Sequence, residues 1–336
     1  MEIFEKERLK TGERKLYLFG KKFLSYHVKK VMDRYGVTSD HYGPRYIYTG
    51  EPGNQVILNT LRQGKPCFIT RFGGTELRTV AYFTEHTQED YVAYPDTIKR
   101  DMKAMAGFFS PTDGLLTRFA CEMINMVQEI DVLGVFHYHM PIERELMDRY
   151  APHATFITLG CIGDYVGLSN DPWTSYLKGK RVLVIHPFAK TICQQYEKRK
   201  LLFKDERHLP EFQLDVMEPV QGLGDARGTE KYADWFEALE TMYREIDKRT
   251  FDIALIGAGA FGMFLGHYVK KSGRQAVHVG GATQLLFGIK GKRWEETYDP
   301  AFSRALFNEH WVRPSEEETP RELAEFEKLE GIAAYW

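Results

Sequence analysis

Short apolar runs alternate along this chain with longer stretches whose apolar residues recur every three or four positions. "CFIT" at 67–70, "DVLGVF" at 131–136, "ATFITLG" at 154–160, "RVLVI" at 181–185, "FDIALI" at 251–256 and "QAVHV" at 275–279 read as strands. "QVILNTLRQG" at 55–64, "TELRTVAYF" at 75–83, "TRFACEMINMVQEI" at 117–130, "TICQQYEKRKLLF" at 191–203, "WFEALETMYREIDKR" at 235–249 and "FGMFLGHYVKKSG" at 261–273 have helical spacing, with Thr75 as an N-cap candidate and Gly273 as a C-terminal stop. Strands that alternate with helices predict an α/β protein, Rossmann-like and doubly wound, with a mainly parallel sheet. Ahead of a turn-rich break at "YTGEPGNQ", residues 48–55, the repeat "YLFGKKFLSYHVKKVM" predicts a basic helix. The division that follows is an N-terminal helical extension over 1–50, a single α/β nucleotide-sugar-binding domain over 51–313, and an acidic tail over 314–336 containing "SEEETPRELAEFEKLEG".

Sheets of this kind bind ligands at the C-terminal ends of their strands. Four such ends carry unusual residues: "RFGGTE" at 71–76, "IHPF" at 185–188, "GAGAFG" at 257–262 and "HVGGATQ" at 278–284. All four are expected to face one crevice.

Composition narrows the ligand. The 336 residues are 43% hydrophobic and carry a net charge of -2, with an isoelectric point of about 6.6, so a general nucleic-acid binder is not expected. Cys67, Cys121, Cys161 and Cys193 form no CxxC pair, sit in apolar contexts, and read as buried free thiols in a reducing cytoplasm. The opening "MEIFEKERLK" is too charged for a signal peptide, and no apolar run approaches a membrane span. The basic N-terminal helix packs on the body, packs on a second copy in a homo-oligomer, or makes peripheral contact with an anionic membrane at the inner face.

Gly257, Gly259 and Gly262 match GxGxxG between a strand and a helix, where backbone N–H groups can hold a phosphate or the glycines can serve tight packing. The dinucleotide fingerprint also needs an acid about 20 residues on, at the end of the next strand. That strand ends in "HVGG", so no NAD is expected. Arg71 suits a bidentate clamp on a diphosphate, or an ion pair with Glu76, which falls in the first helical turn beside Gly73 and Gly74. His186 ends a strand. In "GGATQLLFGIKGKRW", Gly280, Gly281 and Gln284 open the segment and Lys290, Lys292, Arg293 and Trp294 close it. Cations beside an aromatic ring suit an anionic, ring-bearing ligand, or make a basic surface turn.

"RFGGTEL", "LKGKRVLVIHPF", "DWFEALE", "FDIALIGAGAFG", "HVGGATQLLFGIKGKRW", "LFNEHWVRP" and the final "YW" resemble proteins of bacterial surface-polysaccharide gene clusters. More distantly, the chain resembles glycosyltransferases of the GT-D fold, the DUF1792 group. That resemblance implies a nucleotide-sugar donor and a divalent metal, Mn or Mg, held by an Asp-x-Glu element in an "RFGDGE"-like loop. Here the matching positions are Gly74, Thr75 and Glu76, which keeps the glutamate as metal ligand and loses the aspartate. The expected function is a cytoplasmic glycosyltransferase that passes a sugar to a glycan or lipid-linked acceptor. Glu76 and Asp225, in "QGLGDARG", are its catalytic candidates, and the other residues named above contact the donor. A non-catalytic scaffold of a polysaccharide assembly complex and another Rossmann-type sugar-nucleotide enzyme remain as alternatives.

Overall fold

The computed structural model describes residues 41–42, 45–87, 91–135, 141–163, 169–220, 228–297, 305–319 and 335–336. The strands are β1 (His41–Tyr42), β2 (Arg45–Tyr48), β3 (Cys67–Thr70), β4 (Val132–Val135), β5 (Thr155–Thr158), β6 (Arg181–Ile185), β7 (Gln213–Met217), β8 (Ile253–Ile256) and β9 (Gln275–His278). The longer helices are α1 (Gly50–Arg62), α2 (Gly74–His86), α3 (Asp96–Ala106), α4 (Asp113–Val127), α5 (Pro141–Tyr150), α6 (Ala189–Glu197), α7 (Trp235–Asp247) and α8 (Phe261–Lys271).

One sheet runs in the order β1-β2-β5-β4-β3-β9-β8-β6-β7. Every pairing is parallel except the two-residue β1 against β2. Alternate strand residues supply opposite cores. Phe68, Leu133, Phe156, Leu183, Ala254 and Ala276 face one apolar cluster with α2, α4, α7 and α8. Ile69, Val132, Ile157, Val184, Leu255 and Val277 face the other with α1, α6 and the turn at 283–286. A parallel sheet covered on both faces leaves no solvated side, which is why the strands read as continuous apolar runs.

The positioning feature is the β3–β9 pair, in register at Phe68 and Ala276. After β3 the chain enters α2, whose Leu77 and Val80 join the first cluster. After β9 it enters the turn at 283–286, whose Leu285 and Leu286 join the second. The chain therefore leaves neighbouring strands toward opposite faces, and a crevice opens between them.

Several expectations change. The break at 48–55 is the first turn of α1, with Thr49 as its N-cap. Pro52 is tolerated there because first-turn N–H groups need no intrahelical acceptor. Thr75 lies inside α2, and Gly73 is the N-cap. Residues 41–42 and 45–48 belong to the sheet, whereas the basic helix foreseen in the N-terminal extension lies outside the described residues. Of the cysteines only Cys67 is buried; Cys121 and Cys161 are partly covered and Cys193 is exposed, all as free thiols. No helix among the described residues is long and apolar enough to cross a membrane.

α8 lies close on β3 because Gly266 faces the Phe68 ring, where a Cβ would come within 2.5 Å of Cε2. Gly266→Ala should therefore destabilise by about 1–3 kcal/mol through overpacking, although alanine is the better helix former by about 1 kcal/mol. Urea unfolding checks the sign, and a stabilised variant would contradict this packing.

Candidate functional site

A cavity of about 410 Å³ opens at the C-terminal ends of β3, β6, β8 and β9. All four glycine- or histidine-bearing strand ends line it.

The β3 loop supplies Arg71 and Glu76. Glu76 is the third residue of α2, and its carboxyl folds back over Gly73, where any Cβ would overlap it. Burial pushes this carboxyl above the usual range, against weaker opposing pulls from its own backbone N–H, Arg71 and Arg78. The Arg71 guanidinium donates from Nη1 to the Phe72 carbonyl at 2.9 Å, and its buried Nε has no partner among the described residues. An unpaired buried N–H is costly, so this arginine is prepared for an acceptor that the cavity admits. Arg78 also lines the cavity but is paired with Asp101 at 3.0 Å.

Two buried imidazoles complete the strand ends. The Phe188 N–H donates to His186 Nδ1 at 3.1 Å. Burial lowers the His186 pKa to about 3, so the ring is neutral and its proton sits on Nε2. His186 is thus a neutral donor to the cavity and, with both nitrogens committed, not a base. His278 is held by Thr70 Oγ1 at 3.0 Å from Nδ1, and burial, with the nearby Arg71 charge, lowers its pKa to about 3.

The β8 glycines make room for protein atoms. A Cβ at Gly257 would lie 2.6 Å from the Gly280 carbonyl and 2.7 Å from His186, one at Gly259 would lie 2.8 Å from the Ala106 carbonyl, and one at Gly262 would overlap His278. Tight packing therefore accounts for all three, while Gly257 and Gly259 also line the cavity. Gly280 has φ +72°, a conformation that favours glycine.

Of the residues singled out in the sequence, Arg71, Gly73, Gly74, Glu76, His186, Gly257, Gly259, Gly280, Gly281 and Arg293 meet at this cavity. Gly262, Gln284, Lys290, Lys292 and Trp294 are not on its walls. Gln284 is fully buried and its Nε2 instead donates to the carbonyls of Lys290 at 3.1 Å and Tyr335 at 2.9 Å. Lys290 lies over the Phe307 ring, 5.8 Å from its centre, and Trp294 is buried in the second core. The Lys292 backbone N–H donates to the main-chain oxygen of Trp336 at 3.2 Å. Asp225 lies outside the described residues. Arg78, His278, Tyr335 and Trp336 are wall residues that sequence reasoning missed. Only His278 had a signal of its own, as a polar residue closing an apolar strand.

A divalent cation such as Mg²⁺ or Mn²⁺ needs several oxygen donors. Among the described residues no three His, Cys, Asp or Glu side chains cluster to hold a metal, and Gly74 leaves Glu76 without a second carboxylate in its loop. This donor set does not fit a protein-held cation.

A protein-family model for the GT-D fold-like domain matches residues 54–286. A solved structure described as "the highly conserved domain of unknown function 1792", with "a distinct glycosyltransferase fold", shares 12% identity with this chain, covering 79% of it and 94% of that chain at a TM-score of 0.41. A selenomethionine-substituted structure of the same domain shares 12% identity, covering 70% and 79% at a TM-score of 0.33. No curated protein matches the chain significantly.

The buried imidazoles have a consequence for stability. In the unfolded chain each takes a proton near pH 6.5, but in the folded protein only near 3. Between those values the unfolded state binds more protons, so stability should fall as pH falls. His186→Asn keeps an acceptor for the Phe188 N–H and removes one such group. Urea titrations at stepped pH should show a shallower decline in the variant, and parallel curves would contradict the assignment of His186.

Proposed function

The chain belongs to the GT-D fold-like domain family, and from that premise we propose that it is a glycosyltransferase that moves a sugar from a nucleotide-diphosphate donor, of the uridine diphosphate type, to an acceptor hydroxyl. The observation that carries this reading is the charge of the crevice. Among the side chains of the described residues, its wall holds Arg71, Arg78 and Arg293 against one carboxyl, that of Glu76, together with two neutral imidazoles. Such a surface suits a ligand with concentrated negative charge and polar, uncharged groups beside it.

In sugar transfer the bond from the anomeric carbon to the diphosphate breaks, and negative charge grows on the leaving oxygen. Fixed cations and N–H donors stabilise that charge without reorganising. Arg71, with its Nε hydrogen unpaired, is assigned to the diphosphate. The His186 Nε2–H donates to a sugar hydroxyl or phosphate oxygen. Glu76, half-buried and raised in pKa by desolvation, accepts from sugar hydroxyls. The cationic wall takes the place that a metal would fill. A glycan or lipid-linked acceptor, within bacterial surface polysaccharide synthesis, is the context we propose, on the family resemblance of the quoted motifs.

A binding screen over nucleoside diphosphates, nucleotide sugars and NAD, each with manganese and with EDTA, tests this reading. The protein should bind a nucleoside diphosphate in both conditions. Arg71→Met should weaken that binding by roughly 10- to 100-fold. Binding of NAD without any nucleoside diphosphate would overturn the proposal, and binding abolished by EDTA would overturn its metal-free form.

A further inference from the structure

The Gly280–Gly281 dipeptide lines the cavity wall with a donor group seated on each residue. Arg71 lies on Gly280, where a Cβ would stand 3.2 Å from its Nε. The Tyr335 ring lies on Gly281 so closely that any Cβ there would overlap it. Consecutive Cα atoms are about 3.8 Å apart, so the two groups flank one short floor.

Tyr335 does not stand alone. Arg293 Nη1 donates to its hydroxyl oxygen at 2.7 Å, and the guanidinium carbon lies 4.5 Å from the ring centre. The tyrosine oxygen thus accepts from a cation, which leaves its own hydrogen to donate and polarises it for that purpose. The position of the ring is set by the backbone around it. Its carbonyl accepts from Gln284 Nε2 at 2.9 Å, the main-chain oxygen of Trp336 accepts from the Lys292 N–H at 3.2 Å, and the Trp336 indole donates to the Glu318 carbonyl at 3.0 Å.

We propose that this floor is a diphosphate subsite, with one phosphate held by the Tyr335 hydroxyl and Arg293 and the next by Arg71. Tyr335 is then a ligand-binding residue, and the buried Gln284 is the positioning residue that fixes it. An arginine on one glycine and an arginine-backed tyrosine on the next match two linked phosphates better than a single anion. A Cβ on Gly281 would displace the Tyr335 ring, and one on Gly280 would press on Arg71. The identity of the ligand as a nucleotide sugar rests on the function proposed above, but the subsite rests on these contacts alone.

Tyr335→Phe tests it, because the ring, its seat on Gly281 and its stacking against the Arg293 guanidinium remain while the hydroxyl and its bond from Arg293 are lost. Calorimetric titration with inorganic pyrophosphate and with uridine diphosphate should show affinity about tenfold lower in the variant for both, the loss of one hydrogen bond to a charged group. The thermal unfolding midpoint should be unchanged. Gly281→Ala, which displaces the ring, should lower pyrophosphate affinity at least as far. Equal affinity of wild type and Tyr335→Phe for pyrophosphate would overturn the subsite. Wild-type protein that binds pyrophosphate in a Tyr335-dependent way, but no nucleoside diphosphate, would support the subsite and sink the nucleotide-sugar reading. Binding of neither would overturn both.

Discussion

The parallel pairing of β3 with β9 is the constraint on which the site depends. Side by side, these strands deliver Arg71 and Gly280 to the same edge of the sheet, then send the chain to opposite faces. The two following elements pack into separate cores, so nothing fills the space between them. Close packing elsewhere preserves that gap. Gly266 lets α8 settle on β3, Gly257 lets the β8 end approach the Gly280 carbonyl, and Gly262 accommodates His278. A side chain at these points would press on the Phe68 ring, the Gly280 carbonyl and the His278 ring.

Burial then decides what each polar group at the crevice can do. Both imidazoles are neutral because the charged form is poorly solvated there, which makes His186 a donor and denies it a role as base. The same desolvation raises the Glu76 carboxyl. The arginines keep their charge, since guanidinium does not lose its proton in proteins. The result is a wall that is cationic where Arg71 and Arg293 stand and polar but uncharged at the histidines. Linked phosphates followed by hydroxyl groups complement that order.

Much of this was legible in the chain, for identifiable reasons. Strands buried on both faces, such as "RVLVI" and "IALI", announce themselves as apolar runs, and the glycine-rich ends mark where they stop. The outermost strands were not legible. β7, "QLDVM", at one edge, and β2, "RYIY", next to the other, mix polar with apolar residues over too short a span. The basic-aromatic segment after β9 divided in a way that spacing does not reveal. Arg293 reaches the crevice, whereas Trp294 and Gln284 turn inward because the "YW" pair docks on the segment and consumes their surfaces. Tyr335 had no local signal at all: it is brought to Gly281 by tertiary contacts some fifty residues away in sequence, and the close seat on a glycine becomes visible only in three dimensions.

A crystal structure of the protein soaked with uridine diphosphate tests the central claim most directly. The account requires density for the two phosphates over Gly280 and Gly281, within hydrogen-bond distance of Arg71 on one side and of Tyr335 and Arg293 on the other. Nucleotide bound away from the β3–β9 crevice, or in the crevice with its phosphates turned from these groups, would contradict it.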